Sequence, residues 1–122
     1  MKMPWQPAPE ALVRLFQDSA AGLPRATVKK MFGYPAAFVN GNMFAGVFRD
    51  QVFLRLSPED RARLDGAQPF EPMPGRTMRE YVVAPSGLLG SRDGLVEWLG
   101  NALRHTRTLP PKAAKKKAPR AG

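Results

Sequence analysis

Residues 31–56 read MFGYPAAFVNGNMFAGVFRDQVFLRL, and the fold turns on this stretch. It holds five of the seven phenylalanines and almost no charge. Asn40-Gly41, set between apolar runs, is a strong hairpin signal because both residue types tolerate the positive φ of a type I′ turn. A second, weaker turn falls at Asp50-Gln51, so the segment reads as a three-stranded antiparallel meander. Pairing about these turns sets Phe38 opposite Met43, Val47 opposite Leu54 and Ala45 opposite Leu56, with Val52 in the same row. That row is one apolar face suited to packing under helices. The opposite face carries Ala37, Phe44, Gly46, Phe48, Phe53 and Arg55, which is aromatic for a surface meant for water. Phe44, Phe48, Phe53 and Arg55 are therefore the candidate protein interface. Three covers for that face stay open: the last helix, the Trp5-containing lead, or a second copy of the chain in a homodimer.

Upstream, Pro4, Pro7 and Pro9 fix φ and remove donors, so residues 1–9 read as an irregular lead. A helix from about Pro9 to Ala21 places Leu12, Leu15, Phe16, Ser19 and Ala20 on one stripe, and Gly22 and Pro24 stop it. Arg25, Lys29 and Lys30 then read as a solvated connector into the meander. Downstream, Ser57-Pro58-Glu59-Asp60 has the cap, the first-turn proline and the acids of a helix start, which accounts for that acidic pair without catalysis. This short helix ends near Asp65-Gly66. Gln68–Glu71 reads as a brief strand and Thr77–Val83 as a longer one, with Tyr81 and Val83 on one face and Met78, Glu80 and Val82 on the other. Ser91 caps a last helix reaching about Thr106, with Leu95, Trp98, Leu99, Ala102 and Leu103 as its buried stripe.

The 122 residues suffice for one folded body, at 10–109, and no second domain. With no cysteine there is no disulfide, thiolate nucleophile or Cys-based zinc site. The chain has no long apolar run and starts without a secretory signal, so the expectation is a cytoplasmic protein that does not enter membranes. About half of the net charge of +9 belongs to residues 110–122, where Lys112, Lys115, Lys116, Lys117 and Arg120 stand without an acid. This low-complexity tail should be disordered when alone and should give weak, sequence-independent nucleic-acid affinity, or serve only as a solubilising extension. Having neither aromatic residues nor Asn or Gln, it has nothing with which to read bases.

Particular words along the chain carry a resemblance. They are Met31-Phe32-Gly33, Gly41-Asn42-Met43-Phe44-Ala45 and Val52-Phe53-Leu54-Arg55-Leu56, then Pro69-Phe70, Gly75-Arg76, Met78, Tyr81 and Pro85, and lastly Leu95-Val96-Glu97-Trp98. With the order helix, three strands, helix, two strands, helix, the sequence resembles the N-terminal domain of the TfoX/Sxy family from about Leu12 to Leu103. The resemblance implies a two-layer α+β fold, α-β(3)-α-β(2)-α, with a five-stranded antiparallel sheet packed against helices. It also implies a small regulatory or adaptor domain with a transcription-related protein partner, because the family's best-known members act on competence gene expression beside a DNA-bound activator. The sequence holds no counterpart of their C-terminal domain, so a stand-alone N-terminal domain is expected. The resemblance supplies no catalytic residues.

Chemistry-bearing patterns are sparse. His105, the only histidine, stands beside Arg104 and Arg107 at a helix C-terminus, where a cation suits the dipole. No metal-ligand spacing, cofactor motif or phosphate-cradling loop occurs, so no metal, cofactor or catalytic residue is assigned. The alternative to an adaptor is a small enzyme or ligand-binding protein whose pocket is assembled from distant positions. Glu71, Glu80 and Asp93 would then be the nearest acids.

Overall fold

A computed structural model describes residues 8–31, 33–73 and 75–110. Helix α1 (Glu10–Ala21) is followed by four strands, β1 (Thr27–Met31), β2 (Tyr34–Val39), β3 (Asn42–Phe48) and β4 (Gln51–Arg55). Helix α2 (Pro58–Arg63), strands β5 (Gln68–Met73) and β6 (Arg76–Val83), a single helical turn α3 (Ser86–Leu89) and helix α4 (Arg92–Arg107) complete it. The class is α+β, with α1 and α4 packed together on one face of an antiparallel sheet. Among the described residues, no helix is long and apolar enough to cross a membrane.

The sheet has six strands in the order β1-β2-β3-β4-β6-β5, not the five expected. The additional one is β1, whose charges read as a connector. At a sheet edge, lysines can leave toward solvent on either face, so a real strand need not show the apolar alternation of an internal one. Gly33, at φ +86°, makes the reversal that returns β1 alongside β2. The single turn α3 is likewise additional to the expected element order.

The Asn40-Gly41 turn is as expected: Val39 pairs with Asn42, and the two turn residues sit at φ +53° and +80°. The next turn falls one position earlier than the sequence suggests. Phe48 pairs with Gln51, and Arg49 takes the left-handed conformation at φ +57°. Val47 therefore meets Val52, and Ala45 meets Leu54. The slip is even, so Val47, Ala45, Val52, Leu54 and Leu56 keep the helix-facing side.

The odd residue is Phe44. Ala37 pairs with Ala45 but Phe38 with Met43, so β3 carries one residue more than β2 over this step. Such a bulge reverses the alternation beyond it. Phe44 consequently joins Ala37 and Val39 in the helix-facing core and is fully buried, while Phe38 and Met43 pass to the other face. This reverses the expected placement of Ala37, Phe38, Met43 and Phe44.

The helix layer closes the core as its apolar spacing requires. Phe16, Ser19 and Ala20 of α1 and Leu95, Leu99, Ala102 and Leu103 of α4 are buried. Ser57 Oγ accepts from Asp60 N at 3.2 Å and Ser91 Oγ from Gly94 N at 3.1 Å, so both expected caps form. Trp98 is half-buried at the margin, with the Arg63 guanidinium 5.9 Å over its ring.

A candidate recognition pocket on the concave sheet face

Among the described residues, the face away from the helices is covered in part by the sheet itself, a cover the sequence did not suggest, and not by α4, which packs on the other face. Phe70 of β5 stacks on Phe53 of β4 at 4.4 Å and meets Phe48 of β3 edge-on at 5.7 Å, although β6 lies between β5 and β4 in the sheet. Tyr81 of β6 donates its hydroxyl to the Met43 carbonyl of β3 at 2.9 Å, reaching across β4. Contacts that skip a strand require a strongly coiled sheet. The register breaks on either side of Phe70 provide the bend that folds the β5–β6 hairpin over the face.

Gly46 lets this closure form. It pairs with Phe53, and a methyl group at Gly46 would lie 2.5 Å from the Phe53 ring. The ring occupies the space a side chain would take. Phe53, Phe70 and Tyr81 form a second buried cluster, with Met43, Phe48 and Val83 packed against it.

Between the β1–β2 and β5–β6 hairpins this arrangement leaves an apolar pocket of about 270 Å³. Its floor is Ala36, Phe48, Phe53 and Phe70; Met31 lies on one rim and Met78, which is exposed, on the other. No acidic or basic side chain is among its described lining residues. The polar edge of the face is built by Arg55, whose Nε donates to Glu80 Oε1 at 2.6 Å and whose guanidinium lies 5.6 Å from the Tyr81 ring centre. Burial pushes the Tyr81 phenol above its ordinary value of 10; the positive charge of Arg55 opposes this and Glu80 reinforces it.

The candidate interface of the sequence is thus divided. Phe44 is in the opposite core and offers no surface, and Phe53 is buried under Phe70. Phe48 and Arg55 remain half-exposed on the concave face. Tyr34, Met31, Phe70, Met78 and Tyr81 also belong to the site, and no pattern in the sequence marks them for it. The three acids considered for catalysis lie apart from the pocket lining: Glu71 accepts from Gly75 N at 2.7 Å in the β5–β6 turn, Glu80 holds Arg55, and Asp93 is exposed in the first turn of α4. Among the described residues, no group of three or more His, Asp or Glu side chains is disposed to hold a metal ion. The tail residues Lys112, Lys115, Lys116, Lys117 and Arg120 lie outside the described residues, as does Trp5. The chain reaches them beside the β2–β3 turn, where Asn42 Nδ2 donates to the Pro110 carbonyl at 2.9 Å.

The TfoX N-terminal domain family matches residues 18–106, from within α1 almost to the end of α4. No curated protein matches the chain.

Proposed function

Because the chain belongs to the TfoX N-terminal domain family, we propose that it is a small non-catalytic adaptor, a cytoplasmic regulator that docks a transcription-related protein partner. The observation that carries this reading is the apolar pocket between the two hairpins, about 270 Å³ in volume. Its size suits one large apolar side chain, and its lining of rings and thioethers gives contact area without an acid or base to drive turnover. Methionines on both rims suit it to a partner side chain of variable shape, because the unbranched thioether repacks easily. The Lys112–Arg120 segment adds weak, sequence-independent affinity for nucleic acid, holding the adaptor near the DNA on which its partner works.

The test uses the side chain in isolation. N-acetyl-leucine amide and N-acetyl-phenylalanine amide are titrated into methyl-labelled protein while the methionine signals are followed. Saturable shifts at Met31, Met43 and Met78, with affinity of roughly millimolar, are expected for a single docked side chain. Unchanged signals at these three positions would remove the pocket as the recognition element. A second copy of the chain is the competing occupant of the rim, and sedimentation at high protein concentration reports it directly.

A further inference from the structure

The two edges of the sheet are unlike. β5 carries Pro69 and Pro72, which have no backbone N–H to offer an incoming strand. β1 (Thr27–Met31) contains no proline and, among the described residues, pairs on one side only, with β2. Its register places Thr27, Lys29 and Met31 on the concave face, beside Phe38, Ala36 and Tyr34, and Val28 and Lys30 on the helix side. Lys29 and Lys30 are exposed, and among the described residues neither meets a carboxylate. Lys29 instead lies with its ammonium 5.3 Å from the Phe38 ring centre. Arg25, at φ +70°, adds a third exposed cation just before the strand. Met31, the last residue of this edge, also lines the pocket.

We infer that β1 is a docking edge for an extended acidic segment of the partner protein, which adds antiparallel as a seventh strand. This inference rests on the adaptor reading and specifies the partner. Main-chain pairing along β1 would supply affinity, and the side chains would supply the choice of sequence. Running opposite to β1, the segment would place an apolar residue against Met31, two consecutive acids against Lys30 and Lys29, an apolar residue against Val28 and a polar one against Thr27. The acids would fall on opposite faces of the new strand, one beside each lysine, and the apolar residue beside Met31 would stand at the pocket rim. Opposite charges directly across a ladder favour pairing and like charges oppose it. A second copy of the chain fits less well, because the one register that pairs all five residues sets Lys29 against its own counterpart.

The probe is the acetylated, amidated peptide Val-Leu-Glu-Glu-Val-Thr, titrated into the full chain with backbone amide and methionine methyl signals followed. Perturbation centred on residues 27–31 together with the Met31 methyl is expected. Replacing the two glutamates by lysines, or making the Lys29→Glu/Lys30→Glu variant, should weaken binding by about tenfold or more. Combining the lysine peptide with that variant should restore it. Unchanged amide signals in β3 and β4 would confirm that the variant is folded. Any of three peptide results would overturn the inference: no binding, perturbation away from β1, or equal binding by a peptide with prolines in place of its leucine and its second valine, which keeps both acids and would mean charge alone without strand addition. If the peptide fails while N-acetyl-leucine amide still moves the Met31, Met43 and Met78 methyls, the edge is wrong and the pocket stands. If both fail, the adaptor reading falls with it. A chain that dimerises with residues 27–31 protected would assign the edge to a second copy and also overturn the proposal.

Discussion

Substituting Gly46 by alanine tests the closure of the concave face with a single methyl group. That methyl would lie 2.5 Å from Phe53 Cζ and 2.9 Å from Cε2, inside any attainable carbon–carbon contact. Phe53 cannot simply withdraw. Phe70 stacks against it at 4.4 Å, Tyr81 meets it edge-on at 5.6 Å, and only 5% of the residue is exposed. Forcing a methyl into so close a site costs about 1–3 kcal/mol. Removing a glycine from a strand interior returns roughly 0.5–1 kcal/mol, so the net loss expected is about 1–2 kcal/mol. In a domain of this size each kcal/mol moves Tm by roughly 4–8 °C, so thermal and urea melts followed by circular dichroism resolve the effect. Gly22→Ala serves as the control, because no atom lies within 4 Å of the position its methyl would take and its φ of −83° suits any residue. Shortening the opposing ring should relieve the clash, so Gly46→Ala and Phe53→Leu should be strongly non-additive when combined. A Gly46→Ala protein as stable as its parent, or strict additivity in the pair, would refute the packing described for this face.

Gly41→Val should cost on the order of 1 kcal/mol or more in the same melts, since Gly41 sits at φ +80° in the tight β2–β3 turn. Of the two tyrosines, Tyr81 should ionise above its ordinary value of 10 in an ultraviolet titration. The folded state holds that proton more tightly than the unfolded one, so the contribution is complete below pH 10 and stability declines as the pH rises past it; Tyr81→Phe should remove this part of the slope. Truncation after Leu109 should abolish weak binding to a random duplex, with the full chain showing a log–log salt slope near about −4.5 if all five tail cations engage. Unchanged affinity and slope would leave the tail as a solubilising extension.

The sequence yields what is local. Asn40-Gly41, the Ser57 and Ser91 caps and the helix stripes through Phe16 and Leu99 are each decided within one or two turns of chain, and the structure has them all. β1 does not read as a strand because its lysines belong to an edge, where no face must be apolar. Phe44 lies on the face opposite to the one its alternation predicts, because a one-residue bulge leaves no composition signal yet reverses every side chain beyond it. The pocket is out of reach for a different reason. It depends on Phe70 crossing back over Phe53 and Phe48, a consequence of sheet coiling rather than of any residue pattern. One trace is present: a glycine directly across from a phenylalanine, Gly46 against Phe53, is how a ring lies flat on a strand.

The pocket can be filled without touching its rims. Ala36 is buried on the concave floor, and Ala36→Leu adds three carbons to that space. If the pocket is the recognition element, methyl spectra of this variant will show a folded protein whose Met31, Met43 and Met78 signals no longer respond to N-acetyl-leucine amide. A folded Ala36→Leu protein that binds the amide as its parent does would contradict the account.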